Sequence, residues 1–94
     1  MDLTFEWEED KAKANLRKHQ VSFEEAWTVF ADPLSLTVPD HEHSQREVRY
    51  VDIGRSSRDR ILVVVYTERG SVIRLISCRR ATQAERRTYE EGSE

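Results

Sequence analysis

Ninety-four residues with 37% hydrophobic side chains, 3 Gly and 2 Pro suffice for one small core and exclude a second domain, a linker or a low-complexity tail. One cysteine rules out an internal disulfide, and the longest unbroken apolar run, Ile61 to Tyr66, is too short to cross a bilayer, so the expectation is one domain over residues 1–94 in the cytoplasm. The net charge of −3 hides a division: residues 1–44 hold four Lys/Arg against ten Asp/Glu, whereas residues 45–87 hold eleven Arg against five acids, and arginine is suited to forked contacts with phosphate or carboxylate.

In chain order, Thr4 to Glu8 alternates as a short strand, and Glu9 to His19 reads as a polar helix with Ala12, Leu16 and His19 on one side. Ser22-Phe-Glu-Glu25 is a capping box that opens a second helix, whose apolar stripe is Phe23, Ala26, Trp27 and Phe30. Asp32-Pro33 stops it. Leu34, Leu36 and Val38 alternate as a strand, and Val48 to Gly54 forms another. Ile61 to Thr67 is apolar without alternation, the mark of a strand covered on both faces and therefore interior, flanked by 48–54 and 72–78. Gly70 supplies a positive φ in the tight turn before Val72 to Cys78. Thr82-Gln-Ala-Glu85 repeats the capping box and starts a last helix that Gly92 ends.

With Glu68 facing Ser71 across the turn, Arg60 lies opposite Arg79, and Arg55, Arg58, Arg60, Arg79 and Arg80 gather at one end of the sheet. Alternation sets Arg79 on the face of Ile73 and Leu75, and Arg80 on the face of Val72, Arg74 and Ile76. Like charges so close require a negative neighbour, either a ligand phosphate or carboxylates such as Glu8, Glu9 and Asp10. The last helix carries little apolar surface, Ala84 and Tyr89, and presents polar groups. His41 and His43 with Asp40 read as a solvated loop rather than a metal site. His19 reads either as a helix-end charge or as a base, Trp7 and Trp27 as core anchors, and Cys78 as a buried core residue.

The stretches NLRKHQVSFEEA (15–26), FADP (30–33), RYVDIGRS (49–56), LVVVYTERG (62–70) and IRLISCRRATQAERRTYEEG (73–92) together resemble the BrnT toxin family. The resemblance implies a RelE-like α+β fold with two N-terminal helices packed on an antiparallel sheet and a C-terminal helix. It also implies a ribonuclease toxin of a type II toxin-antitoxin pair, a metal-independent endoribonuclease that blocks translation. No cofactor is implied. The partners it implies are an RNA substrate and a BrnA-like antitoxin, joined with it in a hetero-oligomer, with DNA reached only through that antitoxin. On this reading Arg79 or Arg80, His19 and Tyr89 are the catalytic candidates, and Arg55, Arg58, Arg60, Arg74 and Arg86 the RNA-binding ones. The competing class is a binding module without catalysis, whose arginines dock an acidic protein segment or nucleic acid.

Overall fold

The computed structural model describes residues 3–43 and 47–92. Strands β1 (Thr4–Glu6), β2 (Leu36–Pro39), β3 (Arg49–Arg55), β4 (Ile61–Arg69) and β5 (Val72–Arg80) form one sheet in the order β1-β5-β4-β3-β2. The apolar run is thus an interior strand between the two expected neighbours. Ile61 to Val64 are all buried, as are Tyr66 and Thr67, so both faces of β4 are covered.

The sheet is mixed rather than antiparallel. β1 runs parallel to β5, with Phe5 beside Ile73, while the other three pairings are antiparallel. A parallel neighbour needs a crossover instead of a turn. Here the chain between Glu6 and Val72 supplies it, so no local pattern announces the direction.

Helices α1 (Glu9–His19) and α2 (Phe23–Trp27) pack against β5, and α3 (Gln83–Gly92) leans on β3. The inward side of α1 keeps Ala12 and His19 of the expected set but not Leu16. Leu16 is 48% exposed, and Asn15 is buried at 7%. Asn15 Nδ2 donates to the carbonyls of Val21 (3.0 Å) and Cys78 (2.9 Å), and its Oδ1 accepts from the Cys78 amide at 3.1 Å. Those bonds replace the water that a buried amide loses, and they fasten α1 to β5. Gln20, in the left-handed region at φ 61, ends the helix.

The second helix starts as its capping box requires, with the Glu25 amide donating to Ser22 Oγ at 3.0 Å. It is short. After Trp27 the chain tightens into a 3-10 turn over Thr28–Ala31, which carries Val29 into the core and leaves Trp27 at 47% exposure. Trp27 is therefore not the core anchor expected of it. The core consists of Val21, Phe23, Ala26 and Val29 beneath Leu62, Val64, Tyr66, Ile73, Leu75 and Cys78. Side chains of this kind contribute roughly 1.5–3 kcal/mol each when fully buried. Gly54 permits the closest approach of this layer, because a Cβ there would stand 2.8 Å from Val29 Cγ1 and 2.9 Å from Ser35 Cβ.

The β4–β5 register departs from the expected one in two places. Gly70 (φ 62) and Ser71 form the loop, so Arg69 rather than Glu68 closes the hairpin, against Val72. A bulge then intervenes: Tyr66 pairs with Leu75, but Val65 pairs with Ser77. One extra residue on β5 reverses the alternation that follows it. Ile73, Leu75 and Cys78 all enter the same core, and Arg79 consequently points away from the face of Ile73 and Leu75. Arg79 sits opposite Val63, not Arg60.

Candidate functional site

The β3–β4 connection and the end of β5 meet beside α3. Ser56 to Arg60 form a tight loop in which the Ser56 amide donates to the Arg60 carbonyl at 2.8 Å, and Asp59 takes the left-handed conformation at φ 64. Arg55, Arg60, Arg80 and Arg86 line one cleft of about 210 Å3 with Asp59, Ile61, Ala81 and Glu90. The structure thus brings four of the sequence-selected arginines together. Arg58 lies exposed in the same loop. Arg74 stands apart, paired with Glu6 of β1 at 3.2 Å.

These arginines are not equivalent. Arg60 Nε donates to Glu25 Oε2 at 2.9 Å and Nη2 bonds Glu25 Oε1, while Ser56 Oγ donates to Glu25 Oε2 at 2.7 Å. Glu25 is 6% exposed. The Arg60 side chain holds its carboxyl below the ordinary carboxylate range against the opposing cost of burial. Arg55 Nη1 reaches Asp59 at 2.6 Å in an exposed pair, and such pairs contribute little. Arg80 and Arg86 are exposed. The carboxylates seen against the cluster are therefore Glu25, Asp59 and Glu85, with Glu90 lining the same cleft, rather than Glu8, Glu9 or Asp10; Glu9 instead accepts from Trp7 Nε1 at 3.0 Å.

Arg79 and Arg80, adjacent in sequence, diverge. Arg79 forks onto Glu85 of α3, Nη1 to Oε1 at 2.8 Å and Nη2 to Oε2 at 2.9 Å. Glu85 also closes the capping box, accepting from the Thr82 amide at 2.8 Å while its own amide donates to Thr82 Oγ1 at 3.2 Å. The Arg79 fork, with the cap beside it, lowers the Glu85 carboxyl to about 2 from an ordinary 4.5. A depressed folded-state value means that the stabilisation is complete above the unfolded value and is lost as the pH falls through the folded one. Glu85→Ala should therefore cost about 1 kcal/mol at neutral pH, the usual loss for a cap. In urea melts that difference from the unsubstituted protein should be undiminished down to about pH 5 and should close toward pH 2.

Tyr89 is 3% exposed, so α3 buries more than its composition suggests. Its hydroxyl donates to Asp32 Oδ2 at 2.7 Å, and the same oxygen accepts from the Arg55 amide at 2.8 Å. Burial would raise the Asp32 carboxyl, but donation from the Arg55 amide, the Tyr89 hydroxyl and the Leu34 amide outweighs it and holds the group below its ordinary value. Tyr89 is raised by burial and by Asp32. The Arg55 guanidinium lies 6.0 Å from the Tyr89 ring centre. His19 sits half-buried at the end of α1, next to Gln20, whose carbonyl accepts from Arg60 Nη2 at 3.3 Å.

Cys78 is buried and its thiol is pushed up to about 12 by desolvation, which fits a core residue. No group of three or more potential metal-ligating side chains occurs among the described residues; the His43 side chain lies outside them. Nor is any described helix long and apolar enough to cross a membrane. Sequence reasoning missed the roles of Glu25, Ser56, Asp32 and Asn15. Glu25 is visible in the sequence as a capping residue, but nothing local shows that its carboxylate serves Arg60.

The fold and site define a small α+β domain with a mixed five-stranded sheet whose end opens into an arginine-lined cleft suited to an anionic ligand. Residues 7–85 match the sequence profile of the family described as the ribonuclease toxin BrnT of type II toxin-antitoxin systems, and the chain belongs to that family. Among solved structures it is similar to the crystal structure of the Brucella abortus ribonuclease toxin BrnT, with a TM-score of 0.67 and 24% identity over 86% of this chain and 99% of that one. At that identity the likeness shows the fold. No curated protein matches.

Proposed function

We propose that the chain is a metal-independent endoribonuclease of RelE-like fold that blocks translation in the cytoplasm and is neutralised by binding a BrnA-type antitoxin, through which alone it reaches DNA. The observation that carries this reading is the exposure of Arg80 and Arg86 in a cleft where Arg60 is already held in place by Glu25. Arg60 sets the geometry of the loop, and the exposed arginines receive the phosphate.

The chemistry needs no cofactor. The RNA 2′-hydroxyl attacks the adjacent phosphorus, and the bond to the 5′-oxygen breaks. Arg80 meets the charge of the pentacovalent phosphorane, with Arg55 and Arg86 on the flanking phosphates. Arg58 adds to the approach, Arg60 holds the loop through Glu25, and Arg79 holds α3 through Glu85. Arg74, near β1, contacts RNA only beyond the cleft. A proton must leave the 2′-oxygen and another must reach the 5′-oxygen. His19 is the side-chain type that moves protons near neutral pH, and Tyr89 serves by orienting Arg55 through Asp32.

Cleavage of a ribo-oligonucleotide should persist undiminished in EDTA and leave 2′,3′-cyclic phosphate or 3′-phosphate ends. Loss in EDTA with restoration by zinc would overturn the metal-free mechanism. Expression in a bacterium should be tolerated only with the antitoxin present, and a freely tolerated, folded protein with no partner would count against the toxin reading.

A further inference from the structure

A second feature lies outside the arginine cleft. Beside the start of the sheet an open groove of about 880 Å3 runs from Leu3, Phe5, Trp27 and Phe30 to Arg55, Ser56 and Ser57. Leu3 and Trp27 are each 47% exposed, a large apolar surface for a small chain to leave uncovered without a binding purpose. The Trp27 ring is braced. Phe5 stacks on it at 5.1 Å between ring centres and 26° between planes, and Phe5 in turn meets Phe30 edge-on at 5.1 Å. The indole is thus held as a supported shelf rather than a loose side chain.

Arg55 lines both this groove and the arginine cleft, so the two are continuous around one guanidinium. The acid in the groove wall, Asp32, is already engaged by the Arg55 and Leu34 amides and the Tyr89 hydroxyl. The exposed pairing of Arg55 with Asp59 is of a kind that a phosphate can displace. An aromatic platform next to a cationic track is how single-stranded nucleic acid is held without reading its sequence. We propose that the Trp27 shelf is a nucleobase-stacking subsite, which takes an unpaired base of the RNA whose neighbouring phosphates cross Arg55 into the cleft. This subsite rests on the ribonuclease reading above. It extends that reading by naming single-stranded RNA as the substrate form and Trp27 as the residue that seats a base outside the reacting centre. A protein helix is the weaker occupant, because an apolar segment long enough to fill the groove would bring its backbone onto Arg55 and the charged cleft beyond.

The test uses the full chain carrying Trp7→Phe, since the sequence holds two tryptophans and this leaves Trp27 as the reporter. The probe is a short 2′-O-methyl oligoribonucleotide, which lacks the free hydroxyl needed for cleavage. Its addition should quench Trp27 fluorescence saturably. In the unsubstituted background, Trp27→Ala should weaken binding about 5- to 150-fold, the range for loss of one base–aromatic stack, and that ratio should hold as salt is raised. Trp27→Phe should retain most of the affinity, which keeps the test decisive if the alanine variant melts early. Unchanged affinity in Trp27→Ala with no quenching overturns the subsite. If Arg80→Ala then still weakens binding, RNA recognition at the cleft stands and only the shelf is wrong. If the unsubstituted protein fails to bind the probe at all, the ribonuclease reading falls and the subsite with it. Normal RNA binding by Trp27→Ala together with lost affinity for the antitoxin would make the groove a protein-docking surface and overturn the proposal.

Discussion

Arg80→Ala should lose RNA cleavage by about 10²- to 10³-fold, the usual cost of removing one preorganised donor to transition-state charge, while its melting temperature stays within a degree or two of the unsubstituted protein. The separation of the two readouts follows from the environment of the side chain. The Arg80 side chain is exposed at the end of β5, so its loss removes no buried contact of the fold. Arg79→Ala should behave in the opposite way. It breaks the fork onto Glu85 and loosens α3, so stability falls by about 1 kcal/mol, in the range of an exposed ion pair, and cleavage falls only modestly. A steady-state assay on a ribo-oligonucleotide, run beside thermal melts of both variants, distinguishes the two. If Arg80→Ala cleaves at full rate, the arginine cleft is not the catalytic site. If Arg80→Ala binds RNA and antitoxin as before and the unsubstituted protein itself cleaves nothing, the competing class of a non-catalytic binding module is the correct one.

The largest loss of stability should come from Glu25→Ala. Glu25 is nearly inaccessible and answers the Arg60 guanidinium and the Ser56 hydroxyl at once. Removing Glu25 strands the Arg60 charge; a fully buried pair would cost about 3–5 kcal/mol, and the 21% exposure of the Arg60 side chain sets the cost at or below the lower end. The Gln20 carbonyl, 3.3 Å from Arg60 Nη2, offsets part of it, which places the expectation near the lower figure. For a domain of this size about 3 kcal/mol corresponds to a fall in melting temperature of roughly 12–24 °C, a large share of the 5–15 kcal/mol that small proteins possess. Replacing both partners with apolar residues, as in Glu25→Leu with Arg60→Met, should recover much of the loss, because no buried charge is then left unpaired. A Glu25→Ala variant that melts within a few degrees of the unsubstituted protein would show that the pair is not a structural clamp, and would return Arg60 to the pool of RNA-binding side chains.

The two predictions divide the arginines as the fold does, and the sequence could not have made that division. By itself the sequence determined the elements whose causes are local. Ser22 and Thr82 open helices because their hydroxyls meet orphan amides. Asp32-Pro33 ends the 3-10 turn that follows α2, Gly70 turns a hairpin at φ 62, and the unalternating run at Ile61 occupies the middle of the sheet because it is covered on both sides. It also carried the family, through blocks of residues spread along most of the chain.

Tertiary structure decided what depends on partners distant in sequence. The bulge opposite Val65 and Tyr66 is set by how β5 must pack on β4, and one residue of slip transfers Arg79 from one face to the other. The parallel direction of β1 depends on a neighbour nearly seventy positions away. Glu25, Asp32 and Asn15 look like a cap, a helix stop and a polar surface residue, yet each carries a bond to residues more than twenty positions distant. Trp27 fits an apolar stripe until the chain tightens into a 3-10 turn and swings it outward. Periodicity reads the contacts a residue makes along its own element; the identity of the group across the gap is fixed only when the whole chain closes.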